Sequence, residues 1–214
     1  MIGAEAWKSL LQRQTISETF KFPLTETQTA KALYYQYKSE VVSRRGEAAW
    51  QDNDEIKQVC LQMAKVLTDK TDKHFGFMLR GTNGNGKTTL ANAFHKIVNS
   101  LANMQYLGKC RGAINRTSKE IVKCYETSTF EKILDEPVVI IDDLGNEATG
   151  TMNYGNIGTP IVDMIEHRYD NQLFTFITTN LTADQIEEKY GKRIRDRLRE
   201  MAVAMTLKGN SFRN

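Results

Sequence analysis

The sequence predicts an α/β fold in which five parallel strands form a sheet with flanking helices, preceded by a helical N-terminal extension. Two observations predict it. From Phe75 onward, short apolar segments alternate with segments whose apolar residues recur at helical spacing, a pattern typical of a parallel sheet covered by helices. One apolar segment, Val138–Ile141, is an uninterrupted β-branched run, as expected for a strand buried on both faces. A chain of 214 residues is long enough for one such domain and an appendage.

Two helices are predicted within the N-terminal extension. One covers Ala4–Gln14, the other starts near Thr25, and Pro23 breaks the chain between them. A third helix follows, capped by Asp52 or Asn53. Its apolar residues recur at three- and four-residue steps and are Ile56, Val59, Cys60, Met63, Val66 and Leu67.

We divide the chain into the extension, residues 1–50, and an α/β domain, residues 51–214. The predicted strands of that domain are Phe75–Leu79, Ala113–Ile114, Val138–Ile141, Leu173–Thr178 and Val203–Leu207. The predicted helices are Thr88–Leu101, Ser118–Tyr125, Ile157–Tyr169, Ala183–Lys189 and Lys192–Met201.

Composition excludes several classes of protein. Hydrophobic residues make up 40% of the chain and charged residues 26%, which is not the composition of a disordered or collagen-like protein. No apolar run approaches the roughly 18 residues of a membrane span, and the N-terminus lacks a signal peptide, so we expect a cytoplasmic protein. The three cysteines and three histidines have no metal-ligand spacing.

The net charge of +3 does not by itself indicate nucleic-acid binding, but the basic residues are clustered. The segment Leu107–Lys119 contains four basic residues and no acid, and we predict that it contacts the DNA backbone. These residues, the basic patch below, are Lys109, Arg111, Arg116 and Lys119.

The segment from Gly81 to Thr88 matches the phosphate-binding pattern GxxxxGK[ST] and lies between a predicted strand and a predicted helix. Backbone N–H groups of such a loop cradle phosphate oxygens, helped by the helix N-terminus. Lys87 would reach the β- and γ-phosphates, and the Thr88 hydroxyl would hold Mg²⁺. The predicted cofactor-binding residues are Gly81, Thr82, Asn83, Gly84, Asn85, Gly86, Lys87, Thr88 and Thr89.

Polar residues follow two later strands. Asp142 and Asp143 end the strand that begins at Val138; the first would hold Mg²⁺ through water, and the second would polarise the attacking water. Asn180 ends the next strand and would orient that water. The alternative for Asn180 is an N-cap of the following helix, a place that Thr182 fits equally well.

Arg193 and Arg197 lie four residues apart and share one face of a predicted helix. Two arginines on such a face could enter a neighbouring subunit's nucleotide site and offset charge on the γ-phosphate in the transition state. The alternative is a solvated basic face paired with Asp196 and Glu200.

Taken together, these segments resemble the AAA+ ATPases, in the branch of DnaC-type helicase loaders and IstB-type transposition ATPases. The resemblance covers roughly residues 56–213. It rests on GTNGNGKTT from Gly81, IIDDLG from Ile140, TTN from Thr178, YGKRIRDRL from Tyr190 and the final GNSFR.

The resemblance implies a P-loop sheet of the AAA+ (ASCE) type with a binding site for ATP and Mg²⁺. It also implies that Lys87, Thr88, Asp142 and Asp143 belong to that binding site. Asn180 then matches the sensor asparagine, Arg193 and Arg197 match the arginines that act on a neighbour, and Arg213 matches a nucleotide-sensing arginine. Only seven residues follow Leu207, so we expect no C-terminal lid domain.

The expected function is therefore ATP binding and hydrolysis in DNA replication, by a protein that loads a replicative helicase on single-stranded DNA. The expected partners are that helicase or a transposase, DNA, and further copies of the chain in the nucleotide-bound state, with residues 1–50 contacting the partner protein. Three alternatives remain: an IstB-like ATPase that assists a transposase, a small-molecule kinase, and a nucleotide-gated scaffold with little hydrolysis, because many AAA+ proteins carry Glu where Asp143 stands.

The resemblance has two departures. Residues 1–50 contain no cysteine-rich metal site and no motif that can be assigned. The stretch from about Thr117 to Pro137 is shorter than the DNA-facing insertion that loaders usually carry. The glycine-containing loop Gly145–Gly158 is an alternative element facing DNA or a neighbour, or else a plain connector.

Overall fold

A computed structural model describes residues 19–82, 84–125, 127–148, 151–153 and 156–208, with only the backbone described at 151–153 and 156–158. The predicted helix Ala4–Gln14 lies outside the described residues. No helix in the described part of the chain is both long and apolar enough to cross a bilayer.

The predicted five-stranded parallel sheet is confirmed. Its strands are β1 (Gly76–Gly81), β2 (Ile114–Thr117), β3 (Val138–Leu144), β6 (Phe174–Thr179) and β7 (Val203–Leu207), in the spatial order β2-β3-β6-β1-β7. All four neighbouring pairs are parallel. Since β6 lies between β1 and β3, the carboxyl ends of these three strands meet at one edge, where parallel α/β sheets bind ligands.

Eight α-helices are described. They are α1 (Glu26–Arg45), α2 (Asp54–Thr68), α3 (Lys87–Asn103), α4 (Ser118–Lys123), α5 (Ser128–Asp135), α6 (Pro160–Asp170), α7 (Ala183–Tyr190) and α8 (Lys192–Met201), with a short 3₁₀ helix at Glu47–Ala49. The N-cap of α2 is Asn53, whose side chain accepts a hydrogen bond from the backbone N–H of Ile56. The bounds predicted for α8 and β7 are confirmed.

The structure differs from the prediction in several places. The strand predicted at Ala113–Ile114 is β2, Ile114–Thr117, and the helix predicted over Ser118–Tyr125 ends at Lys123. Helix α5 was not predicted, because it is only eight residues long and buries just Phe130 and Ile133. The helix predicted from Ile157 begins instead at Pro160, a residue suited to the first helical position. The residues before it form an antiparallel pair of short strands, β4 (Thr151–Asn153) and β5 (Asn156–Gly158).

The described part of the extension shares a hydrophobic core with the sheet. Phe22, Leu33 and Tyr37 are buried in the same cluster as residues of β1, β6 and α3. The ring of Phe94 on α3 lies between those of Phe22 and Phe174, at centroid distances of 6.1 and 5.8 Å. Helix α1 is thereby fixed against α3, the helix that follows the phosphate-binding loop.

The second core cluster, on the other face of the sheet, surrounds a buried arginine. Arg168 of α6 is fully buried, and its guanidinium donates to Thr175 Oγ1 and to the carbonyls of Leu134, Glu136 and Phe174 at 2.7–3.1 Å. Burial lowers the pKa of Arg168 to about 9. Its hydrogen bonds join the end of α5 to the start of β6, so we assign Arg168 to the folding of the domain.

Candidate nucleotide-binding site

Two glycines of the loop between β1 and α3 are required by its shape. Gly81 has φ +152° and Gly86 has φ +93°, a region that favours glycine. A Cβ atom on Gly81 would lie 2.3 Å from the carbonyl oxygen of Leu207, and one on Gly86 would lie 2.5 Å from the hydroxyl of Tyr37. The loop is therefore enclosed by β7 on one side and α1 on the other.

Lys87 is the charged group at the centre of this loop. Its side chain is buried, and Nζ donates to the carbonyl oxygens of Gly81 and Thr82, both at 2.8 Å. Nζ also donates to the side-chain oxygens of Asn85 at 3.2 Å and Asn180 at 2.8 Å. The ammonium thus connects the loop after β1 with the end of β6.

Asn180 lies where the sequence predicts it, at the carboxyl end of β6. The N-cap of α7 is Thr182, whose side chain accepts from the backbone N–H of Gln185. The alternative interpretation of Asn180 as that cap is therefore wrong. The amide of Asn180 faces Lys87 instead.

Thr88 and Asp142 come together from α3 and β3. The Thr88 hydroxyl donates to Asp142 Oδ1 at 3.1 Å, and the Thr178 hydroxyl of β6 donates to the same oxygen at 2.5 Å. Burial, the largest cause, raises the pKa of Asp142; the hydrogen bond from Thr178 opposes the rise, and the Asp143 carboxylate adds to it. Sequence reasoning did not single out Thr178, although it belongs to the TTN segment.

A hydroxyl and a carboxylate side by side fit Mg²⁺. This ion prefers oxygen ligands and is commonly held by one or two protein groups together with waters and substrate phosphates. Within the described ranges, no group of three or more His, Cys, Asp or Glu side chains could hold a metal ion. The oxygens of Thr88 and Asp142 are of the kind that a phosphate-bound magnesium takes as ligands.

Asp143 has an unusual backbone, with φ +54°, a conformation that non-glycine residues adopt at some cost. Two hydroxyls hold it there. Its N–H donates to Thr178 Oγ1 at 2.9 Å, and its carbonyl accepts from Ser118 Oγ at 2.8 Å. Asp143 lines the same cleft as Lys87 and Asn180.

The cleft in front of this loop has a volume of about 480 Å³. One wall comes from the phosphate-binding loop and the end of β3. The other comes from the N-terminal part of the chain, through Tyr37, Val41, Arg44, Ala49 and Trp50. Sequence reasoning missed this wall, although residues 37, 41 and 44 share one face of a helix by their spacing.

Arg193 and Arg197 lie on α8 and differ in exposure. The side chain of Arg193 is 69% exposed, and its Nε contacts Glu166 Oε1 at 3.1 Å. Arg197 is 13% exposed; it contacts Glu166 at 3.5 Å and Asp170 at 3.2 Å, and its guanidinium lies 4.9 Å from the centroid of the Tyr169 ring. Arg193 and Arg197 are thus paired with acids of α6, whereas Asp196 is paired with Arg195 of its own helix.

The remaining predicted residues divide into two groups. Asn83 and Arg213 lie outside the described residues. Gly84, Asn85 and Thr89 line the cleft, and Asn85 is fixed by a 2.7 Å hydrogen bond from its side chain to the carbonyl of Leu207. All members of the basic patch are exposed.

The order of the strands and the groups at their carboxyl ends define the class of this fold. The phosphate-binding loop follows β1, the acids end β3, and Asn180 follows the strand between them. This is the P-loop sheet of the AAA+ type. Solved structures support that assignment, which is an assignment of fold.

The crystal structure of the DnaC helicase loader superposes with a TM-score of 0.55 at 20% identity, covering 76% of this chain and 95% of that one. DnaA of Aquifex aeolicus, solved with AMPPCP bound, gives a TM-score of 0.52 at 13% identity, covering 77% of this chain and 50% of that one.

The sequence is similar to the replicative helicase loader DnaI of Bacillus subtilis (strain 168), with 28% identity over an alignment of 177 residues that covers 72% of this chain. The chain spans about half, 54%, of the length of that relative. No family model matches the chain. The predicted resemblance to helicase loaders is confirmed by these likenesses.

Proposed function

We propose that this protein binds and hydrolyses ATP with Mg²⁺ and loads or remodels a replicative helicase on single-stranded DNA. One observation carries the proposal: Lys87, Thr88, Asp142 and Asn180 converge from three strands on one edge of an AAA+ sheet. The likeness to the loader DnaI supports the choice of partner, and a replicative helicase would place the protein in the cytoplasm.

Each side chain has a role at that edge. Lys87 exchanges its loop carbonyl partners for the β- and γ-phosphates of ATP. Thr88 and Asp142 hold Mg²⁺, which neutralises charge on the phosphates when bound. Asp143 accepts a hydrogen bond from the attacking water, and the Asn180 amide orients that water. The wall formed by Tyr37 and Trp50 offers apolar and aromatic surface for the base.

Hydrolysis takes place between subunits. Arg193 is exposed on α8, and its charge is available to a neighbour's γ-phosphate. The chain therefore forms a homo-oligomer when ATP is bound, and the isolated subunit is nearly inactive. Arg197, beside it, holds α8 against α6 and acts on the same neighbour, and Arg213 senses the nucleotide.

DNA is bound by the basic patch. Its four side chains are exposed, and cations at such positions bind phosphates with a strong salt dependence. Lys109→Glu combined with Arg111→Glu should weaken binding to a single-stranded oligonucleotide and flatten its salt dependence. Unchanged binding would remove the patch from the proposal. The region of residues 1–50 contacts the helicase.

Light scattering tests the proposal as a whole. The particle size of the wild type is measured with and without ATP·Mg²⁺ and a single-stranded oligonucleotide, and Lys87→Ala is the control. We expect only the wild type to assemble, and only with ATP. A wild type whose particle size is the same with and without ATP·Mg²⁺ and the oligonucleotide would contradict the proposed assembly.

One alternative function has a structural observation in its favour. A scaffold that binds ATP but hydrolyses it negligibly is favoured by the short side chain of Asp143 on a left-handed backbone. Phosphate release from the assembled wild type decides between the two, and Asp143→Glu should raise the rate if reach is limiting. Capture by a purified transposase, but not by a replicative helicase, would favour the IstB-like alternative.

A further inference from the structure

Three side chains fix the turn that follows the acids of β3, on the side of the turn that faces away from the cleft. They are Glu147, Lys189 and Tyr190, here called the Glu147 cluster. The front of this turn, residues 143–146, lines the nucleotide cleft. Its back contacts the last turn of α7, which leads directly into the arginine helix α8. The cluster therefore lies between the two parts of the proposed ATPase.

Glu147 is a buried acid with a full set of partners. Its carboxylate is 1% exposed and contacts Lys189 Nζ at 3.1 Å. It accepts hydrogen bonds from the backbone N–H of Gly145 at 2.9 Å and from the hydroxyl of Tyr190. Burial raises the pKa of Glu147, but hydrogen bonds, chiefly the one from Tyr190 and with a further one from Lys189, hold it below the ordinary glutamate value. The carboxylate is therefore ionised at neutral pH.

Lys189 connects the turn to α7 a second time. Its ammonium donates to the backbone carbonyls of Gly145 at 2.6 Å and of Glu147 at 2.7 Å. One side chain thus satisfies two carbonyls of the turn as well as the carboxylate. A displacement of the turn would break these bonds unless α7 moved with it.

The other side of the turn is equally confined. The Thr179 hydroxyl donates to the Leu144 carbonyl at 2.7 Å. A Cβ atom on Gly145 would lie 2.6 Å from the Leu181 side chain. These contacts oppose a movement of the turn toward β6. A displacement of Asp143 would therefore move the residues of the Glu147 cluster.

A single residue separates this cluster from the arginine helix. Gly191, with φ +89°, is both the C-cap of α7 and the N-cap of α8. Arg193 follows two residues later. Arg195 of α8 is also paired with Glu187 of α7. The two helices therefore move together at this end.

We propose that the Glu147 cluster couples the occupancy of a subunit's own nucleotide site to the position of the arginines that it presents to its neighbour. Glu147, Lys189 and Tyr190 are positioning residues, since none of them faces the reacting phosphates. This inference rests on the proposed function. It adds which side chains of this chain join the turn beside the nucleotide cleft to the arginine helix.

Hydrogen exchange of backbone amides tests the coupling. The wild type, Glu147→Gln and Tyr190→Phe are compared with and without a non-hydrolysable ATP analogue and Mg²⁺, at a concentration at which light scattering shows monomers. Tyr125→Phe is the matched control, because its hydroxyl also donates to a carboxylate, Asp163, at 2.6 Å, away from the cleft.

In the wild type and the control, the analogue should change exchange both in the turn, residues 142–147, and in α8, residues 191–201. In the two cluster variants, the change in the turn should persist and the change in α8 should be lost. Turnover of assembled variants should fall about tenfold, the scale of one hydrogen bond to a charged group, with the affinity for ATP kept.

Three results are distinguishable. An α8 response that persists in both cluster variants, or that is missing from a nucleotide-bound wild type, would overturn the coupling alone. Loss of ATP binding in both cluster variants, but not in Tyr125→Phe, would also overturn it, because the cluster would then serve the site itself. A wild type that binds no ATP would instead contradict the proposed function.

Discussion

Two regions of the subunit hold their charges in different ways. One is the edge of the sheet where Lys87, Thr88, Asp142 and Asn180 meet, here called the phosphate edge, and the other is the arginine helix α8. At the phosphate edge, Lys87 and Asp142 are buried, and each is held by groups from other strands of the same subunit. On α8, Arg193 reaches solvent and, among the described residues, is paired with Glu166. Burial makes a charge dependent on its neighbours, whereas an exposed arginine can change partners at small cost.

Under the proposed function, this difference would separate the charges that bind a subunit's own nucleotide from those that act on its neighbour. Groups that bind a subunit's own nucleotide are fixed by its own fold. A group that serves the neighbour must be able to leave its local partner. Substitutions at the edge with Lys87 should therefore weaken the binding of ATP. Substitutions of Arg193 on α8 should instead lower turnover and leave the binding of ATP intact.

The largest effect is expected for Arg193→Ala. Removal of an arginine that stabilises γ-phosphate charge costs on the order of a thousandfold in turnover. The affinity for ATP and the free energy of unfolding should stay close to the wild-type values, since the side chain is exposed. Phosphate release at saturating ATP measures the effect, and Arg199→Ala, exposed on the same helix, is the control. Full turnover in Arg193→Ala would remove this residue from the neighbour's site.

Lys87→Ala should act on binding. Charge-assisted hydrogen bonds to the phosphates are lost, which corresponds to about a hundredfold weaker binding of ATP. Fluorescence titration with a labelled nucleotide measures the affinity, and Lys65→Ala, an exposed lysine of α2, is the control. Wild-type affinity in Lys87→Ala would contradict the site.

A mixture of Lys87→Ala and Arg193→Ala subunits tests whether the two residues act at one interface between subunits. A subunit with Lys87→Ala still carries Arg193, and a subunit with Arg193→Ala still binds ATP. An equimolar mixture should therefore regain part of the turnover if the two residues act across one interface. A mixture as inactive as its components would contradict a shared site.

Local signals explain how far the sequence predicted the phosphate edge. The loop from Gly81 to Thr88 and the acids after β3 are each read from a few consecutive residues, and the alternation of strands and helices brings them together. The roles of these residues remain predictions, although their geometry agrees with the expected arrangement.

Contacts between distant segments could not be predicted in the same way. Tyr37 against Gly86, and Glu147 against Lys189 and Tyr190, join residues about 40 or more positions apart, and nothing in the spacing of either segment identifies its partner. The short helix α5 was missed because two buried residues give little periodicity.

Arg197→Ala should lower both the turnover and the free energy of unfolding. Turnover should be lost with ATP binding kept, if this arginine also acts on the neighbour. In addition, Asp170 loses a partner and the Tyr169 ring loses the guanidinium that lies over it. We expect a loss of about 1–3 kcal/mol in the free energy of unfolding, measured by urea denaturation. Arg193→Ala is the matched control, and equal stability of the two variants would contradict the packing role.

The smallest effect is expected for Asp142→Asn. Unlike Arg197→Ala, it should raise the free energy of unfolding. The raised pKa of Asp142, caused chiefly by burial, means that folding favours the protonated form. Its contribution is fully present below the unfolded pKa and is lost as the pH rises through the folded pKa. At neutral pH the folded protein therefore holds an unfavourable buried negative charge.

Asparagine keeps the side-chain oxygen that accepts from Thr88 and Thr178 but carries no charge. Without nucleotide and Mg²⁺, Asp142→Asn should therefore be more stable than the wild type by about 1 kcal/mol at pH 7.5, or about 2–4 °C in melting temperature for a chain of this size. The gain should shrink as the pH is lowered toward 4, where the wild-type carboxylate becomes protonated. Asp184→Asn, which alters an exposed acid of α7, should show no such gain. A variant less stable than the wild type at pH 7.5 would mean that the negative charge stabilises the folded subunit, and the phosphate edge would then need no bound cation to offset it.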